Sequence, residues 1–197
     1  MSLLEMMYNR RSVRKYTGEP VSEDDVKKVV SAGLLGATGK NIKPWEFIVV
    51  NDKDVLQKLA DCRTGSVAML KSCEAAIVVI ADENKTDVWV EDCSVAMANM
   101  HLMADSLGLG SCWVQARLRE ANDGRTAEDF VKDALTIPAN YKVEAILTLG
   151  QPEGNLQHTQ KMIYYLRKFI TTNSKSVRTN GVQFALRFCC LKCNLIL

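Results

Sequence analysis

Ala75-Ala76-Ile77-Val78-Val79-Ile80-Ala81 is the stretch on which the fold turns. A short, continuous apolar run rich in β-branched residues reads as a strand buried on both faces. Working outward, residues 88–107 form the longest predicted helix, with Gly108 as its C′ residue. Cys112-Trp113-Val114 is a candidate strand, 126–134 a short helix, and 141–149 (YKVEAILTL) another strand, ended by Gly150-Gln151-Pro152. Upstream, 53–61 predict a helix and Phe47-Ile48-Val49-Val50 a strand that follows Pro44. Ser22 is placed to cap a helix, with Glu23, Asp24 and Asp25 in its first turn, where acids suit the helix dipole. Val26, Val29, Val30, Gly33 and Leu34 then fall on one helical face, and that helix should stop near Gly36. A short helix is expected over residues 3–9. Helices and strands alternate, with helices dominant, and no internal repeat interrupts them.

The chain of 197 residues is long enough for one α/β domain with a substantial core. Its 47% hydrophobic and 24% charged content is that of an ordinary globular protein. The opening residues lack the apolar region and small-residue cleavage site of a signal peptide, and no run reaches membrane-span length. The seven cysteines therefore read as reduced thiols, and the expected location is the cytoplasm. The net charge of +2 hides an asymmetry. Residues 161–197 hold seven Lys or Arg and no acid, which leaves 18 basic residues against all 23 acids in residues 1–160, a net of −5.

Several chemistries find no support. His101 and His158 are the only histidines, too few for the common metal sites, and His101, among Met100, Leu102 and Met103, reads as a packing residue. There is no nucleophile elbow, P-loop or G-x-G-x-x-G. Cys190-x-x-Cys193 is a lone pair in an unusual tail and reads as accidental.

Two features are more informative. Arg10, Ser12 and Arg14 alternate, so in an extended segment their side chains would share one face. Two guanidiniums and a hydroxyl there suit a phosphate, because arginine donates in a planar fork matched to phosphate oxygens. Residue types alone favour a solvated basic turn over a phosphate site. The second feature is Thr38-Gly39-Lys40-Asn41-Ile42-Lys43-Pro44-Trp45, a shaped loop in which Asn41 offers donors and an acceptor. Asn41 would suit the polar edge of a ring, or would satisfy turn backbone; Trp45 reads as core.

With these stretches in view the sequence resembles the nitroreductase family of FMN enzymes over roughly residues 3–160. Four segments carry the likeness in order: RRSVRKY (10–16), N-x-K-P-W-E-F (41–47), LGLGSCWV (107–114), and IP-x-x-Y-x-V-E-A-I-L-x-L-G-x-P (137–152). Together they favour the ligand reading of the arginine cluster over the basic turn. The resemblance implies an α+β fold, with a central mixed β-sheet flanked by helices in an intertwined homodimer holding FMN at each interface. It implies that Arg10, Ser12 and Arg14 bind the FMN phosphate and ring edge, with Arg11 a neighbour, that Asn41 lies beside the ring, and that the segment of Gln115 and Ala116 lies near flavin N5. The implied activity is electron transfer from NAD(P)H as co-substrate to a small-molecule acceptor, nitroaromatic, quinone or similar, by a ping-pong cycle. A flavin-binding protein of the same fold that dehalogenates, or that has no meaningful turnover, is the alternative. Two positions depart from the family pattern near the ring: Ala37-Thr38-Gly39 replaces its usual small-residue triplet, and Lys43 replaces its usual Gln. Lys43 would place a positive charge near the flavin's pyrimidine edge or point to solvent.

The likeness ends abruptly after Lys161, so the expected organisation is a domain over residues 1–160 and a tail over 161–197. Family endings run like L-L-x-E-K-V-H-Y-N-K-F. Placing one G before a permitted coding of Met162–Ile170 and reading from that G yields DDLLFEKVH. The tail therefore reads as the product of a one-nucleotide deletion near codon 161 or 162, which also accounts for its missing acids. A genuine basic extension that binds nucleic acid or lipid is the competing account; neither nucleic acid nor membrane is the expected partner.

Overall fold

β2 (Ala75–Asp82) lies inside a sheet, as its sequence requires. The computed structural model describes residues 2–65 and 67–154; the expected tail over 161–197 and its boundary at residue 160 fall outside the described residues. The chain runs α1 (Leu3–Asn9), α2 (Glu23–Leu34), a 3-10 turn (Gly39–Asn41), β1 (Trp45–Val50), α3 (Lys53–Leu59), α4 (Met69–Ser72), β2, α5 (Trp89–Ser106), β3 (Gly110–Gln115), α6 (Ala127–Leu135) and β4 (Tyr141–Gly150). The strands lie in the order β1-β2-β4-β3, and all three ladders are antiparallel. A parallel element enters through an isolated bridge between Ser12 and Ser111.

Along β2 the side chains divide strictly by face. Ala76, Val78 and Ile80 join α3, α4 and α6 in one apolar cluster, with Leu56, Leu70 and Phe130. Ala75, Ile77, Val79 and Ala81 join α2 and α5 in the other, with Val29, Met97 and Met100. The sheet is thus sandwiched between two helical layers, which is why β2 carries no polar face.

Local sequence sets the helix ends. Ser22 Oγ accepts from Asp25 N at 3.0 Å at the start of α2. At the other end of α5, Gly108 takes φ 76°, its N–H bonds Asp105 O at 3.0 Å, and Leu109 N–H reaches back to Ala104 O at 2.9 Å. That pair of bonds is a Schellman closure, and Gly suits its left-handed residue because it carries no Cβ.

Between α1 and α2 the chain threads along the end of the sheet. Val13 N–H donates to Ser111 O (2.9 Å), Thr17 N–H to Gln151 O (3.0 Å), and Glu153 N–H to Lys15 O (3.0 Å). Buried Tyr16 donates its hydroxyl to Val13 O at 2.9 Å and meets Thr148 Oγ1 at 2.6 Å. The fit is close. A Cβ added at Gly110 would stand 2.8 Å from Val13 Cγ1, and one at Gly150 2.7 Å from Tyr16 Cδ1. Among the described residues no helix is long and apolar enough to cross a membrane.

Candidate functional site

β3 organises the candidate site, because the two ends of this short strand meet different groups. At its start, Ser111 pairs with Ser12. Around that bridge gather the first residues read from the sequence. Arg10, the C-cap of α1, is half-buried and places Nη1 3.2 Å from His101 Nε2. Arg14 is exposed and donates from Nη1 to Ser12 O at 3.2 Å. Arg11 donates to Tyr8 O (3.3 Å) and Arg10 O (3.0 Å). Burial pushes the Cys112 thiol up, against the opposing pull of the guanidiniums of Arg14, Arg10 and Arg63. Arg63, half-buried in the turn after α3, is among the charges acting on this thiol. Nothing in the local sequence around residue 63 marks it; only the fold brings it here. Guanidiniums beside a serine hydroxyl are a donor set that fits a phosphate.

At the far end of β3 lie Gln115 and Ala116. The Gln115 side chain is fully employed: Oε1 accepts from Trp113 Nε1 at 2.8 Å, and Nε2 donates to Glu144 O at 3.2 Å and Glu144 Oε1 at 3.3 Å. Buried Ala116 gives its N–H to Glu144 O (3.2 Å), and Arg117 N–H bonds the same carbonyl at 3.0 Å. Glu144 can gather these donors because it is the extra residue of a β-bulge: Val79 pairs with Ala145 and Ile80 with Val143, so Glu144 is skipped. Its carboxyl is buried, Oε2 has no hydrogen-bond partner, and burial raises its pKa above the usual carboxylate range. A lone acid inside the apolar run 141–149 was the sequence signal for this group.

Asn41 and Lys43 sit on the loop before β1, and both are exposed. That loop is strained: Lys40, Asn41 and Lys43 take φ values of 51°, 58° and 53°. Left-handed backbone costs an L-residue about 1–2 kcal/mol, least for Asn. Such strain persists only where surrounding contacts impose it, and it concentrates at ligand sites. The contacts here come from the first turn of α5. Buried Asp92 accepts from Gly39 N–H at 2.9 Å through Oδ1, and a Cβ at Gly39 would meet Val88 Cγ2 at 2.9 Å. Trp89 in the same turn lies under the Arg117 guanidinium, 5.8 Å from ring centroid to Cζ.

α5 thus carries both halves of the site. His101 meets Arg10 and Ser111; Asp92, nine residues earlier, holds the strained loop. At the helical rise this is about 13 Å, and the four steps from Ser111 to Gln115 along β3 span about the same. The structure brings Arg10, Ser12 and Arg14 together, places Gln115 and Ala116 at the opposite end, and hangs Asn41 and Lys43 from the start of α5.

Comparisons with known proteins identify the family of this fold. The family model described as the nitroreductase family matches residues 7–68 and 59–151. A protein of Archaeoglobus fulgidus named as an NADH dehydrogenase/NAD(P)H nitroreductase is 38% identical over 154 residues, covering 76% of this chain and 85% of that one. The solved structure of an FMN-dependent nitroreductase from Clostridium difficile superposes with a TM-score of 0.83 at 38% identity, covering 86% of this chain and 99% of that one. A nitroreductase from Desulfovibrio desulfuricans, solved in complex with FMN, superposes with a TM-score of 0.68 at 25% identity, covering 84% and 95%.

Proposed function

Because the chain belongs to the nitroreductase family, we propose that it is an FMN-dependent oxidoreductase that passes electrons from NAD(P)H to nitroaromatic, quinone or similar acceptors by a ping-pong cycle. The observation that carries this reading is the convergence of Arg10, Ser12 and Arg14 at the start of β3. It is an anion-binding corner at one end of a site whose other end is formed by a strained loop and a bulge.

Arg10, Ser12 and Arg14 would hold the FMN phosphate. Asn41, with donors and an acceptor, and Lys43, with a cation, would face the polar edge of the ring. Gln115 and Ala116, locked on Glu144, would form a wall of the ring end that does not adjust when a ligand enters. Bound FMN supplies the hydride acceptance and the later electron delivery; the protein supplies binding, orientation and electrostatics. Lysine and arginine side chains near the ring favour negative charge that develops there, and they are in place before it does.

A second copy of this chain completes the reading. Leu3, Leu4 and Met7 of α1, with Leu34 and Leu35 at the end of α2, stand exposed. They border a groove between α1, α2 and α5 floored by Ala32, Leu102 and Met103. A homodimer through this face would cover it.

The test is the visible spectrum of the purified protein with added FMN. Flavin absorption that bleaches with NAD(P)H under nitrogen and returns when a quinone is added supports the reading, as do parallel double-reciprocal plots. Bound flavin that NAD(P)H leaves oxidised would overturn it.

A further inference from the structure

Arginines that bind phosphate are often steered by a carboxylate, which orients the guanidinium and also cancels part of its charge. Arg10 is steered differently. Its Nη1 meets Nε2 of His101 at 3.2 Å, and the other ring nitrogen, Nδ1, bonds Ser111 Oγ. His101 is only 8% exposed and is fixed on α5 among Met97, Met100 and Ala104.

The protonation of this group follows from its partners. A guanidinium has donors and no acceptor. Nε2 must therefore accept, and the ring's single proton sits on Nδ1 and is donated to Ser111 Oγ. Burial, then the neighbouring Arg10 charge, lowers the His101 pKa to about 4, so the ring is neutral at physiological pH. Among the described residues this contact engages one of the five guanidinium donors. Ser111 is also the residue that pairs with Ser12 and accepts from Val13 N–H. Arg10 and Ser12 are thus registered to one another through the same serine.

We propose that His101 is a positioning residue for the cofactor's phosphate: a neutral acceptor that aims the Arg10 guanidinium at that group while leaving its full charge available. The inference rests on the FMN reading above and adds a role that packing alone would not require of this histidine. An acidic residue in its place would orient Arg10 as well but would weaken the anion corner.

The experiment is a fluorescence titration of the full-length protein with FMN and with riboflavin, which lacks the phosphate. The wild type should bind FMN more tightly. His101→Leu should weaken FMN by about tenfold, the value of one charge-assisted hydrogen bond, and leave riboflavin unchanged. His101→Gln, whose Oε1 can accept from Arg10, should recover part of the preference. Ser111→Ala gives an independent arm that leaves His101 in place. Without its acceptor, Nδ1–H loses the partner that fixes the ring, the Nε2 lone pair is no longer held on Arg10, and the FMN preference falls. Nitrogen-15 NMR of the wild-type imidazole should show Nδ1 protonated and Nε2 bare. A His101→Leu protein that keeps the FMN preference, or that loses both flavins equally, overturns the positioning role while leaving the cofactor reading intact. A cationic ring or the Nε2–H tautomer overturns it too. A wild type that binds FMN no better than riboflavin removes Arg10 as a phosphate ligand, and the proposal with it.

Discussion

Replacing Gly110 with alanine probes the seat of the segment that carries Arg10, Ser12 and Arg14. The added methyl would stand 2.8 Å from Val13 Cγ1, 2.9 Å from its Cβ and 3.1 Å from its Cγ2. Relaxed carbon contacts lie at about 3.5–4.0 Å, so Val13 must retreat by about 1 Å. It has no easy way to do so: it is 5% exposed, and a β-branched side chain has little rotamer freedom. The backbone must move instead, and the Val13 N–H to Ser111 O bond of 2.9 Å is the first thing it pulls on. Overpacking of this kind costs about 1–3 kcal/mol, and a lost hydrogen bond adds about 1 kcal/mol. At about 2–4 °C per kcal/mol for a domain of this size, melting should fall by about 4–16 °C. The same shift stretches the Arg10–His101 contact, so FMN binding should weaken as well. Circular dichroism melts of the ligand-free protein read the first effect, and flavin titration the second. Gly124→Ala is the control: nothing lies within 4 Å of its added Cβ, so only its φ of 85° counts, at about 1 kcal/mol. A Gly110→Ala protein that melts no lower than Gly124→Ala would show that segment 10–17 is not seated on β3 as described.

Three more outcomes are expected. Asp92→Ala should release the loop at Gly39, costing about 1–3 kcal/mol and speeding tryptic cleavage after Lys40; Asp92→Asn, which keeps an oxygen acceptor, should stay close to wild type, and equal cleavage in all three would refute the tether. His101 and Glu144 should act oppositely on stability against pH. The lowered His101 pKa means that its contribution is complete above 6.5 and is lost as pH falls towards about 4, while the raised Glu144 pKa means that its contribution is present below 4.5 and is lost as pH rises through its folded value. Glu144→Gln should therefore raise Tm at pH 8 and steepen the loss on acidification; a pH–Tm curve parallel to wild type would contradict this. Finally, sequencing the coding DNA should reveal one missing nucleotide near codon 161 or 162, and the frame-restored protein should carry more FMN per chain; an intact reading frame in the source gene would dispose of that account.

Much of the architecture was legible because it is encoded locally. The apolar run in β2, the spacing of Val26, Val29 and Val30 in α2, the acids after Ser22 and the glycine after α5 each state a requirement that neighbouring residues meet. α4 was not visible, since four residues carry no periodicity. The site was legible in its residue types but not in its connections. Arg10, Ser12 and Arg14 signalled an anion. That His101 holds Arg10, across 91 positions, depends on α5 being folded into place. His101 did prove to be a core residue, as its apolar neighbours suggested; its two ring nitrogens are what the apolar context concealed. Likewise the left-handed lysines at 40 and 43 contradict local preference, and only the Asp92 tether makes sense of them.

The threading of residues 10–17 along the sheet sets an order of assembly. Ser12 finds its partner about a hundred positions later, and Tyr16 pairs with Pro152, near the end of the described residues. Contacts this distant come after closure of the largest loops in the domain, whose entropic cost they cannot offset until the sheet exists. During synthesis residues 10–17 leave the ribosome well before β3 and β4, and they must wait for those strands before they dock. The segment around Ser12 is therefore expected to dock last in folding and to open first in unfolding, and a chain stalled short of that step would have a nearly complete sheet without its N-terminal strap.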